Sequence, residues 1–204
     1  MLGPVCPAGP RFEASIAAFD ARNAADPSEV EIDAQKTPRE LARARRLSHW
    51  VTALDPDASV ALRLAARCQH LMRWTVPRSS FPEGRSGYHR WRRHLATVHA
   101  DLATEILTDL GWDEATIAEV RRINLKREMK THADVQTMED ALCLSFIENE
   151  LAEFADGKSE EKLASILRDT WRKMSPHGRS FAPGLLGSLP AALRATVERA
   201  LATA

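Results

Sequence analysis

Cysteine is scarce, with Cys6, Cys68 and Cys143 the only three in 204 residues. The number is odd and no CxxC pair occurs, so neither a thiolate zinc site nor a disulfide framework is favoured. No GxxxxGK[ST] or GxGxxG segment is present, which removes support for a P-loop or Rossmann nucleotide site. No GxSxG elbow occurs either. No uncharged apolar run approaches the roughly twenty residues that a bilayer span requires. The first ten residues, MLGPVCPAGP, hold prolines and glycines but no apolar core, so they do not read as a secretory signal. A cytoplasmic location, without membrane partners, is the expectation by elimination. Excess charge of either sign is also absent: 28 Lys and Arg balance 28 Asp and Glu. That balance weighs against bulk nucleic-acid binding.

What remains is helical patterning. The apolar fraction of 44% and charged fraction of 27% suit a soluble globular protein. No segment alternates as a strand does, and the expectation is an all-α fold of about eight helices, one domain over residues 11–204 behind a tail at 1–10. Phe12, Ile16 and Phe19 open the first helix, which stops before Asp26-Pro27. Residues 27–36 read as irregular, and Thr37-Pro38 as the cap of a helix that runs to Leu54. Asp57 or Ser59 caps the next, apolar around most of its girth and therefore central, which Pro77 ends near Trp74. A long helix follows from Tyr88 to Leu110, ended by Gly111, then a shorter one capped by Asp113. Further helices are expected over 135–155, from Ser159 through Trp171, and from Pro190 to Leu201, with residues 175–190 mainly loop.

The segment between the central and the long helix is locally basic. From Arg67 to Arg93 there are seven arginines and one acid, Glu83. Arg78, Ser79, Ser80, Gly84, Arg85 and Gly87 are expected in one loop. Guanidinium forks, hydroxyls and open backbone amides together suit a phosphate or carboxylate. Tyr88 and Trp91 beside the loop either stack a planar ligand or pack. Lys126, Arg127 and Lys130 read first as a solvated face, with an extension of the arginine surface as the alternative.

Of seven histidines, His49, His70 and His99 fall on helices expected to be largely buried. Glu139-Asp140 supplies an acidic pair early in a later helix. Imidazoles and a carboxylate from separate helices can converge in a bundle and hold a divalent cation.

The order of these residues resembles that of the HD superfamily, all-α metal-dependent phosphohydrolases with a branch of diiron oxygenases. The resemblance makes His49 the first histidine, His99 the helix histidine and Asp140, in MEDAL, the closing aspartate. Gln69-His70 stands where the His-Asp dyad would be, so the carboxylate of that dyad is missing. A closer resemblance covers Asp26 to Met174. The segments RCQHLMRWTVPRSSFPEGRSGYHRWR, QTMEDALCLSFIE and DTWRKMS are similar to a bacterial and fungal family catalogued as domain of unknown function 4202.

Three functions compete. In the first, His49, His70, His99 and Asp140 hold iron, manganese or zinc, Glu139 is the base, and Arg73, Arg78, Arg85 and Tyr88 bind the substrate. The protein is then a metal-dependent hydrolase of a phosphorylated or other anionic small molecule. The second keeps an HD-type iron centre but performs oxygenase chemistry. The third has no catalysis, and the arginine loop grips RNA or a nucleotide.

Overall fold

A computed structural model describes residues 9–32, 34–129, 131–187 and 189–202. Most of the expected tail, Cys6 and Lys130 fall outside them. Among the described residues the protein is all-α apart from one small hairpin. Ten α-helices are described, two more than the periodicity indicates. The chain divides into two compact units, the first running to Glu128 and the second from Met129.

Unit 1 begins with α1, Pro10–Asn23, whose Phe12 and Phe19 are buried. The stretch expected to be irregular instead pairs β1, Glu29–Ile32, with β2, Gln35–Pro38, in an antiparallel register of Val30 opposite Thr37. Each strand is only four residues, and β2 does not alternate in burial, so no strand period stands out. Thr37 therefore belongs to the hairpin and caps nothing. Helix α2, Arg39–Leu54, is started instead by Asp26, whose carboxylate accepts from the Ser28 and Glu40 amides, both at 2.9 Å.

Helix α3, Val60–Cys68, is capped by the Ser59 hydroxyl, which accepts from Leu62 N–H at 3.0 Å. Leu62, Leu64, Ala65, Ala66 and Cys68 are all fully buried. As its girth implies, α3 packs against α1, α2, and two later helices, α4 at Gly84–Asp109 and α5 at Glu114–Asn124. It ends six residues before Trp74, in turns and short 3₁₀ segments at Arg73–Thr75 and Arg78–Ser80.

Helix α4 starts four residues earlier than the apolar stripe suggests. Gly84, Arg85 and Gly87 thus lie in its first turn rather than in a loop. Gly87 is required there: a Cβ would stand 1.7 Å from the Pro82 carbonyl oxygen. At the far end Gly111 takes a φ of +74° and Trp112 N–H donates back to Leu107 O at 3.1 Å, the Schellman closure. The Asp113 carboxylate then caps α5 through Thr116 N–H at 2.8 Å.

Unit 2 contains α6 (Ala133–Asn149), α7 (Leu151–Ala155), α8 (Glu160–Lys173), α9 (Pro176–Leu186) and α10 (Ala191–Ala202). The single helix expected over 135–155 is broken at Glu150. Ile147, Leu151, Leu163, Leu167, Leu189 and Val197 form its core. The expected loop at 175–190 is largely α9. Ser175 caps it, accepting from Gly178 N–H at 3.0 Å, and Pro176 occupies the first turn, where a missing N–H costs nothing. Among the described residues, no helix is long and apolar enough to cross a membrane.

Candidate anion-binding site

Where α3 unwinds, unit 1 holds a cavity of about 560 Å³. Its depth varies in chemistry. Gln69, Leu95, His99 and Asn124 are almost wholly buried, His70, Arg73, Arg92 and Lys126 are partly so, and His89 and Arg93 are exposed. None of the lining residues is acidic. Four cations therefore surround a floor of neutral polar groups.

Each side chain arrives by a local cause. Helix α4 supplies His89, Arg92, Arg93, Ala96 and His99, spaced three and four apart so that they share one face. The end of α3 and its turn supply Gln69, His70 and Arg73. The end of α5 supplies Asn124, and the turn after it supplies Lys126. Two of these turns use left-handed backbone at non-glycine residues, Met72 at φ +53° and Lys126 at φ +54°. Such residues cost about 1 kcal/mol or more and persist where the surroundings hold them. At Met72 the holding group is Asn23, whose Oδ1 accepts from Met72 N–H at 3.0 Å.

His70 and His99 meet here, ring centroids 6.1 Å apart and edge to face. His99 Nδ1 lies 2.7 Å from the Leu71 carbonyl oxygen. A carbonyl can only accept, so the proton is on Nδ1 and Nε2 is a bare lone pair. That Nε2 has no hydrogen-bond partner among the described residues. Burial lowers the His99 pKa to about 4, helped by the charges of Arg73 and Arg92 and opposed by the Leu71 bond. His70 is packed deep with part of its surface open to the cavity. Desolvation, then Arg73, His99 and Arg92, push its pKa well below the ordinary value. Both rings are neutral at pH 7.

The seven arginines between residues 67 and 93 separate by role. Arg67 forks onto Asp20, Nε at 2.6 Å and Nη2 at 2.7 Å, and is structural. Arg78, expected to bind an anion, instead donates to the Phe81 and Pro82 carbonyls at 2.8 and 2.9 Å and closes the loop. Arg85 is exposed on the first turn of α4, 3.4 Å from His89, and is not among the lining residues. Arg73 does line the cavity. It lies over the Trp91 ring at 4.7 Å, with its Nε 4.0 Å from Glu40. Tyr88 is 45% exposed and leans on Trp91, outside the lining. Lys126, read from sequence as part of a solvated face or of an extended arginine surface, lines the cavity.

The other expected ligands lie elsewhere. His49 borders a separate cavity with Arg45, Arg46 and hairpin residues. In unit 2, buried Glu139 faces Lys173 at 3.8 Å. Asp140 is spent on the start of α9: it accepts from Ser175 N–H at 2.8 Å, from the Ser175 hydroxyl and from Gln136 Nε2 at 3.0 Å. Unit 1 thus brings two of the four expected ligands together, two imidazoles without a carboxylate. Among the described residues, no group of three or more His, Cys, Asp or Glu is placed to hold a metal ion. Neither unit alone fits the four-residue centre.

Sequence reading overlooked Arg92, Arg93 and Asn124. The signal for the first two was present in the spacing of 89, 92, 93, 96 and 99 along α4. Asn124 carried none, since only tertiary packing brings α5 beside α3.

The family described as "Domain of unknown function (DUF4202)" matches residues 13–197 of the chain. No curated protein and no solved structure matches it.

Proposed function

The chain belongs to the DUF4202 family, and from the cavity of unit 1 we propose that the protein binds a phosphorylated small molecule. The observation that carries this reading is the lining itself: Arg73, Arg92, Arg93 and Lys126 with no acidic neighbour in the wall. Cations held around a partly dry concavity attract a dianion more strongly than the same charges in open water. Arg73 and Arg92 also present planar forks suited to two phosphate oxygens each. The volume lies within the range of about 300–1,000 Å³ typical of small-molecule sites. Calorimetric titration with inorganic phosphate and pyrophosphate tests it. Saturable binding, weakened tenfold or more in Arg92→Ala/Lys126→Ala, supports the reading, and absence of binding to the parent protein refutes it.

Hydrolysis of the bound ester is a second reading, favoured by His99. A neutral imidazole with Nδ1–H anchored to a carbonyl and Nε2 bare has the form of a general base. Release of phosphate from phosphomonoesters, lost in His99→Asn, is the corresponding measurement. Whether a divalent ion assists is answered by elemental analysis of protein purified without chelator.

A further inference from the structure

Three residues that line the cavity each carry a buried acceptor with no hydrogen-bond partner among the described residues: His99 Nε2, Gln69 Oε1 and Asn124 Oδ1. Their residues are 2%, 4% and 0% exposed. The amide nitrogens of Gln69 and Asn124 are already committed, to the Asn124 carbonyl at 3.4 Å and to Cys68 Sγ at 3.2 Å. With the nitrogens so placed, the oxygens are the ends of both amides left without a partner. Buried acceptors in native proteins are almost always satisfied, and an unsatisfied one is costly. Three in one cavity call for donors from whatever fills it.

From this we infer that the ligand is a phosphate ester of a polyhydroxylated body, a sugar or polyol phosphate, with its phosphate at the arginines and its hydroxyls on the floor. The inference rests on the proposed anion site and names what enters it. Charge selects the donor type. An ammonium group would face Arg73, Arg92 and Lys126 across a cavity whose lining holds no carboxylate. A hydroxyl donates without charge. The gradient of burial gives the direction: Gln69, His99 and Asn124 are buried, Arg73, Arg92 and Lys126 partly so, and Arg93 is exposed. Leu95 and Ala96 beside His99 offer the apolar contact that a carbon skeleton requires.

The test is calorimetric titration of the full chain with methyl phosphate and with ribose 5-phosphate, which share the phosphate and differ in hydroxyls. Ribose 5-phosphate should bind at least tenfold more tightly. In Gln69→Met, which keeps the volume and removes the acceptor, methyl phosphate affinity should hold while the advantage of ribose 5-phosphate shrinks several-fold. Should that variant fail to fold, side-chain amide resonances of Gln69 and Asn124 in the parent provide the second readout. They should shift with ribose 5-phosphate and not with methyl phosphate. Equal affinity for the two probes, or shifts identical for both, would overturn this inference and leave the anion site standing, with water satisfying the floor. Binding of neither probe would overturn the anion site and the inference with it.

Discussion

Acid should loosen unit 1 through His99. In the folded chain its pKa is about 4, against about 6.5 in an unfolded one. Between those values the unfolded state binds more protons than the folded state, so stability falls as pH drops from 6.5 toward 4. The stability is fully present above pH 6.5. The difference of about 2.5 pH units limits the effect to about 3.4 kcal/mol, of which about 1.4 kcal/mol is lost by pH 5.5 and about 3 kcal/mol by pH 4. His70, shifted the same way, adds to the loss. Carboxylates titrate in this range as well, so the comparison is with His99→Asn. That variant keeps a donor toward the Leu71 carbonyl and does not titrate. Hydrogen exchange of buried α4 amides, Leu95 and Leu107, from pH 7 to pH 4 reads unit 1 by itself. The variant should lose about 3 kcal/mol less than the parent across that interval. Equal losses would refute the assignment of a buried, neutral His99.

Alkali should act through Cys68. Burial raises its thiol pKa to about 12, so the unfolded thiol ionises first and unit 1 loses stability as pH rises above about 9, up to about 4 kcal/mol; Cys68→Ala should flatten that slope in alkaline urea unfolding. Arg78→Ala should cost about 1–2 kcal/mol of stability by releasing two loop carbonyls, while phosphate affinity by calorimetry stays within twofold. Asp140→Ala should destabilise unit 2 by about 3 kcal/mol in hydrogen exchange of α9, because two hydrogen bonds to Ser175 at the start of that helix and one to Gln136 on α6 are lost. Gly87→Ala should lower the melting temperature and expose the turn at Pro82 to proteolysis, since the new methyl has no room against a backbone carbonyl.

Much of this fold was legible because long helices write their period plainly. Trp91, Leu95, Val98, Leu102 and Ile106 marked α4, and the encircling apolarity of α3 marked its central place. The misreadings share a cause. At Trp74 and Tyr88 the apolar stripe did not coincide with the hydrogen-bonded helix, so α3 ended sooner and α4 began sooner than the side chains suggested. Gly87 looked like a loop residue but is a helical one that must lack a Cβ. Pro183, Gly184 and Gly187 disguised α9 as loop, although Ser175-Pro176 was a legible start. That His70 and His99 lie close together followed from their residue type and helix position. The bonds of Arg78 to the Phe81 and Pro82 carbonyls were not legible, because composition does not reveal whether a guanidinium faces a ligand or its own backbone. For Lys126 the sequence left a solvated face and an extension of the arginine surface both open, because its place in the wall depends on a left-handed turn that no local pattern announces.

The central claim is that the cationic wall of unit 1 takes a phosphate group. Titration of ¹⁵N-labelled protein with inorganic phosphate, following the side-chain N–H signals of arginine and the backbone of unit 1, tests it most directly. Saturable shifts should concentrate at Arg73, Arg92 and the turn at Lys126. No saturable shift, or shifts confined to Arg45 and Arg46 beside the hairpin, would contradict it.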